Sequence, residues 1–145
     1  MFVENLKETL KLGKKISQKL NPQSIVLLKG PIGAGKTSFV KGIAKGLSIS
    51  EDITSPTFAL SHHYKSGKIP LIHLDLYRLE NISSAKEVFF SEEEEALQNQ
   101  AILVIEWPEL IEPFIQNFWK IKISYAQNYG RHYEIRDPKN LLTFS

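Results

Sequence analysis

Gly30-Pro31-Ile32-Gly33-Ala34-Gly35-Lys36-Thr37 decides how this chain is read. It follows the apolar run Ser24-Ile25-Val26-Leu27-Leu28-Lys29 and leads into Ser38-Phe39-Val40-Lys41-Gly42-Ile43-Ala44. Strand, glycine-rich turn and helix, with G-x-x-x-x-G-K-T at the turn, is the phosphate-binding P-loop pattern in its proper context. A triphosphate concentrates negative charge in a small volume. Backbone N–H groups can surround it where no Cβ blocks the approach, and glycines allow that. The helix that starts near Gly35 points its free N–H groups at the same place. Lys36 can set an ammonium on the β- and γ-phosphates, the Thr37 hydroxyl suits Mg²⁺, and Ser38 sits in the same first turn.

Outward from this turn, the next informative run is Ala101-Ile102-Leu103-Val104-Ile105-Glu106. Apolar residues ending in an acid predict a fully buried parallel strand that delivers a carboxylate beside the P-loop. Glu106 can hold Mg²⁺ through water or act as base towards the attacking water. Trp107-Pro108-Glu109 follows at the strand's carboxyl end, where Trp107 can stack on a base or pack against the loop. In residues 69–77 the alternation sets Ile72, Leu74 and Leu76 against His73, Asp75 and Tyr77. Asp75, near the end of that strand, can order water or metal, or anchor a loop. Residues 48–57 form a polar, proline-broken loop whose hydroxyls either sense the γ-phosphate or merely connect.

The remaining segments read as follows. Residues 5–20 have helical periodicity, with Asn5 and Glu8 as a capping pair and an exposed lysine face. Residues 57–65 and 69–77 form a hairpin around the turn at 65–68. Residues 80–100 are helical, with a start predicted at Ser91, Glu94 at N3 and the glutamates of 92–95 on the positive end of the helix dipole. Residues 118–125 and 131–136 form a terminal β-hairpin around 128–130, and Arg131 lies just after its turn, where it reaches nucleotide or faces water.

The 145 residues carry a formal net charge of +2 and no cysteine. Disulfides, cysteine metal sites and thiol catalysis are excluded, and the charge is too small to argue for nucleic-acid binding. No apolar run approaches membrane-spanning length, and the start of the chain lacks a signal-peptide pattern. One cytoplasmic domain over residues 1–145 is the expectation. The expected fold is α/β: a single P-loop NTPase domain with a mixed, mainly parallel central sheet, flanking helices and a C-terminal β-hairpin.

Gly33-Ala34-Gly35-Lys36-Thr37, Ser55-Pro56-Thr57-Phe58, His73-Leu74-Asp75-Leu76-Tyr77-Arg78 and Glu106-Trp107-Pro108 occur in that order and spacing. Together they resemble the TsaE (YjeE) family, bacterial P-loop ATPases needed for N6-threonylcarbamoyladenosine at position 37 of tRNA. The resemblance implies binding of ATP and Mg²⁺, slow hydrolysis, and docking on a TsaB–TsaD complex that hydrolysis resets. It implies magnesium ligands at Thr37 and Glu106. It implies nucleotide contacts at Gly33, Ala34, Gly35, Lys36, Thr37, Ser38, Asp75, Glu106, Trp107, Pro108, Glu109 and Arg131, with Lys36, Asp75 and Glu106 in the chemistry. It also implies a switch-like loop at 54–58. The chain departs from the family at Val88-Phe89-Phe90-Ser91-Glu92, where members often carry a glycine.

Three other functions compete. A small-molecule kinase needs a second substrate pocket and commonly an arginine-bearing lid, and the arginines here, Arg78, Arg131 and Arg136, do not cluster. A GTPase needs an N-K-x-D-type guanine signature, which is absent. A nucleotide-gated binding module would hold ATP as a structural signal, with hydrolysis incidental.

Overall fold

The computed structural model describes residues 1–144. Its strands are β1 (Phe2–Val3), β2 (Ile25–Lys29), β3 (Ser61–Tyr64), β4 (Leu71–Asp75), β5 (Ile102–Glu106), β6 (Trp119–Tyr125), β7 (Arg131–Arg136) and β8 (Leu142–Phe144). Its helices are α1 (Leu6–Ser17), α2 (Lys36–Gly46) and α3 (Ile82–Asn99). One mixed sheet runs β1-β7-β6-β2-β5-β4-β3, with β8 on β7. The four central strands, β6, β2, β5 and β4, are parallel. The edges are antiparallel, through β3 on β4, β7 on β6 and β1 on β7. This is the α/β architecture the sequence predicts.

Sequence explains the layering. β2 and β5 are apolar along most of both faces because both are covered, and β4 is buried on both faces although it carries His73 and Asp75 on one. On one face Leu12 and Ile16 of α1 and Phe39, Val40 and Ile43 of α2 pack over Val26, Leu28, Val104 and Ile121. On the other, Ala85, Phe89 and Ala96 of α3 pack over Leu27, Leu74, Leu103 and Ile105. The parallel register sets Leu28 beside Glu106 and Asp75 beside the same Glu106. The C-terminal ends of β2, β5 and β4 therefore converge, and the P-loop leaves from the first of them.

α1 clamps the P-loop helix. A Cβ on Gly42 would lie 2.5 Å from the Leu10 carbonyl oxygen and 3.0 Å from the Gly13 Cα, so the two helices touch backbone to backbone. Gly42→Ala is expected to destabilise the fold by about 1–3 kcal/mol through overpacking. Urea unfolding of the variant checks this, and a midpoint equal to wild type contradicts the close approach.

Several elements differ from the sequence reading. α1 ends at Ser17 rather than near 20. Asn5 accepts from the Glu8 N–H as expected, but the Glu8 carboxylate reaches the Glu4 N–H. Ser91 lies inside α3 and starts no helix. Asn81 caps that helix by accepting from the Ser84 N–H at 2.8 Å, and no breaker follows for four turns. The local signal at 91–95 is overridden by the earlier cap. The segment lacking the family's glycine is thus unbroken helix. The strand expected over 57–65 shrinks to Ser61–Tyr64, because the Pro56 carbonyl accepts from the Leu60 N–H and turns the chain there. The expected 69–77 strand shortens to Leu71–Asp75. β1 and β8 are too short to show a period.

Candidate nucleotide-binding site

The loop between β2 and α2 takes the shape its glycines permit. Gly33 and Gly35 have φ of 79° and 103°, a region L side chains avoid. The loop is held from outside by the β6–β7 hairpin. The Arg131 guanidinium donates to the carbonyls of Gly33 and Ala34, both at 3.2 Å. The Tyr125 hydroxyl donates to the Ile32 carbonyl at 2.5 Å, and Arg131 lies 4.5 Å from the Tyr125 ring centre. These donors take up the carbonyls of Ile32, Gly33 and Ala34 on the hairpin side of the loop.

Lys36 is 6% exposed. Its ammonium donates to the carbonyls of Gly30 and Pro31 and sits 4.0 Å from the Trp107 ring centre. Burial lowers its pKa from the usual lysine value, against the opposing pull of Glu106, Asp75 and Glu109. Trp107 has φ of 56° and packs 4.9 Å from the Tyr77 ring. The indole thus serves the lysine end of the site. Pro108 shapes the following turn by accepting from the N–H groups of Ile111 and Glu112, and Glu109 is exposed.

Glu106 and Asp75 are 3% and 2% exposed and lie side by side at the ends of β5 and β4. The Thr37 hydroxyl donates to Glu106 Oε2 at 3.4 Å. His73, which the sequence reading left without a role, meets the same Oε2 at 2.5 Å. Asp75 is fully engaged. Its Oδ2 accepts from the Thr57 hydroxyl at 2.8 Å and its Oδ1 from the Tyr77 N–H at 2.9 Å. The 54–58 loop is thereby tied to the site through Thr57. Arg78 donates to the Phe58 carbonyl at 3.0 Å and holds the same loop from the other side.

Two cavities meet at the P-loop. One, of about 440 Å³, is lined by Lys36, Thr37, Ser55, Thr57, Tyr77, Glu106 and Trp107. The other, of about 330 Å³, lies between the loop and the start of α1, lined by Val3, Glu4, Asn5, Thr9, Gly130 and Arg131. Gly33, Ala34, Gly35 and Ser38 line both. Of the sequence-predicted residues, Gly33 to Ser38, Glu106, Trp107 and Arg131 line these cavities, whereas Asp75 lies behind them beside Glu106, and Pro108 and Glu109 line neither. The sequence assigns no role to Tyr125 or His73, and the family resemblance points to the stretch ahead of α1, Val3-Glu4-Asn5, without assigning residues in it. Tyr125 carried no signal, because its partner lies 93 residues away in sequence.

A glycine-rich turn between a central parallel strand and a helix, with a carboxylate from the adjacent strand facing its lysine and threonine, defines a P-loop-type α/β protein. The family model described as threonylcarbamoyl adenosine biosynthesis protein TsaE matches residues 3–133. The chain belongs to the TsaE family. It is 39% identical over 137 residues to the tRNA threonylcarbamoyladenosine biosynthesis protein TsaE of Nostoc sp., covering 93% of this chain and 83% of that one. It is 42% identical over 112 residues to the protein of the same name from Synechocystis sp., covering 74% and 69%. The crystal structure of Bacillus subtilis YdiB matches with a TM-score of 0.75 at 30% identity, covering 92% of this chain and 80% of that one. No helix among the described residues is long and apolar enough to cross a membrane.

Proposed function

We propose that the chain binds Mg²⁺·ATP at the P-loop, hydrolyses it slowly, and thereby supports threonylcarbamoyl modification of tRNA by acting on a TsaB–TsaD complex. The observation that carries the nucleotide reading is the meeting of Lys36, Thr37 and Glu106 around one cavity beside the P-loop, with Asp75 next to Glu106 and bonded to Thr57 on the cavity wall. The relatives' names supply the pathway. The TsaB–TsaD pair comes from the family resemblance.

The donor set fits magnesium. Thr37 and Glu106 offer hard oxygen atoms near one point, with the hydroxyls of Ser55 and Thr57 on the cavity wall. Among the described residues no group of three or more His, Cys, Asp and Glu forms a cage. A few protein oxygens completed by substrate phosphates and water is how Mg²⁺ is usually held. Bound there, Mg²⁺ would supply charge neutralisation to the phosphates.

The chain's own residues do the rest. The loop amides and Lys36 hold the phosphates, and Lys36 exchanges its two carbonyl partners for phosphate oxygens. Thr37 and Glu106 orient the metal. Glu106 orders the attacking water and takes its proton. Asp75 keeps the Thr57 hydroxyl at the cavity wall, beside the γ-phosphate. The cavity by α1 would take the base and ribose. Positioning and charge compensation supply most of the rate. No arginine-bearing lid is present among the described residues. Arg78 and Arg131 serve the loops named above, and Arg136 pairs with Glu134 at 2.9 Å. This favours an ATPase over a kinase.

Titration of the protein with a fluorescent ATP analogue, with and without Mg²⁺, tests the reading. Saturable binding that Mg²⁺ tightens supports it, and no binding in either condition removes it. Asp75→Ala is expected to slow hydrolysis about 10- to 100-fold, the size of one hydrogen bond to a charged group, with the fold intact. A wild-type rate would return Asp75 to a purely structural role.

A further inference from the structure

His73 is wholly buried, yet it is polar and lies at the centre of β4, one strand in from the sheet's edge. It shares a face of β4 with Leu71 and Asp75, turned towards α2, and lies opposite Val104 on β5. Its Nε2 is 2.5 Å from Glu106 Oε2, two residues further along β5. Its Nδ1 has no hydrogen-bond partner. An imidazole in an apolar layer with one nitrogen unpaired is costly, so its retention there points to what the other nitrogen does. The proton belongs on Nε2. That tautomer donates to the carboxylate and leaves only a lone pair unmatched on Nδ1, rather than an orphaned N–H.

Glu106 Oε2 also receives the Thr37 hydroxyl at 3.4 Å. Among the described residues no ion pair joins Glu106 to Lys36, although both line the same cavity. Something holds the carboxylate on the Thr37 side, and His73 is its closest contact.

We propose that His73 is a positioning residue for the metal site: from beneath the sheet's end it pins Oε2 of Glu106, so the carboxylate faces Thr37 and the incoming metal instead of folding onto Lys36. The consequence falls on the metal-dependent part of nucleotide binding, because His73 itself touches neither phosphate nor cavity. This deepens the Mg²⁺·ATP reading and rests on it.

The test compares His73→Gln, whose side-chain amide reaches the former Nε2 position, with His73→Asn, whose amide falls short, and with His73→Leu, which has no donor. The Mg²⁺ concentration that half-saturates the tightening of a fluorescent ATP analogue is expected to rise about tenfold in the Asn and Leu variants, equivalent to one hydrogen bond to a carboxylate. It should stay near wild type in the Gln variant. Binding of the analogue without Mg²⁺ should be unchanged in all three. Equal behaviour of the Gln and Asn variants overturns the proposal, as does a parallel loss of metal-free binding. Should His73→Leu fail to fold, the Gln and Asn pair decides. A second readout needs no nucleotide. In ¹⁵N-histidine-labelled protein, His73 should show a protonated Nε2 and a bare Nδ1, and Glu106→Gln should move the Nε2 signal. A proton on Nδ1, or an unmoved signal, overturns the pinning even if nucleotide binds normally. Failure of the wild-type protein to bind nucleotide, with the histidine signals as expected, would instead sink the Mg²⁺·ATP reading and with it the metal role of His73, leaving only the contact to Glu106.

Discussion

Lys36→Ala is expected to lose ATP affinity by about 1.5–3 kcal/mol, roughly 10- to 150-fold, through loss of a charge-assisted contact to phosphate. The loss should be larger for ATP than for AMP, since Lys36 is placed for the β- and γ-phosphates. The ammonium is held by the Gly30 and Pro31 carbonyls over Trp107. It does not swing in from solvent. The site is therefore preorganised, and nucleotide has only to replace two neutral acceptors with charged ones. Calorimetric titration of both nucleotides against wild type and variant measures this, with circular dichroism to confirm the fold. An equal loss for ATP and AMP would place Lys36 elsewhere on the ligand.

Glu106→Ala should have the opposite profile. Some nucleotide binding should be kept, because the loop amides and Lys36 remain, but its tightening by Mg²⁺ should weaken. Hydrolysis should fall about 10²- to 10⁴-fold, the usual range for a positioned acid or base. Truncation also leaves the buried His73 without its partner. Glu106→Gln is the companion variant, since it keeps the shape and removes the charge. Both should hydrolyse poorly, and the Gln form should unfold at a higher temperature than the Ala form. Hydrolysis at the wild-type rate in either would remove Glu106 from the chemistry.

Much of the fold was legible because its cause is local. The run 24–29, the glycine turn and the apolar stripe of 38–47 identify a strand–loop–helix from periodicity alone, and 101–106 declares a doubly covered strand. Asp75 and Glu106 were legible as acids at strand ends. Their adjacency depends on β4 and β5 pairing in parallel register across 31 residues of sequence, which no local pattern encodes. The Ser91 start failed for a related reason. A capping signature marks where a helix can begin, but a helix already running from Asn81 has no need of it. Tyr125 braces the P-loop from nearly a hundred residues away, so it reads as a plain hairpin residue until the sheet is assembled; Arg131 is legible as a residue near the nucleotide, but its hold on the P-loop carbonyls is not. His73 was hidden by alternation. On a strand buried on both faces, a polar residue shows its purpose only when its neighbour on the next strand is known.

The most direct test of the account is ATP hydrolysis by the purified protein with Mg²⁺, measured alone and with the cognate TsaB–TsaD pair, using Lys36→Ala as the blank. The account predicts slow turnover above the blank that the pair clearly stimulates. Turnover no higher than the blank, or a rate unchanged by the pair with no complex formed, would contradict it.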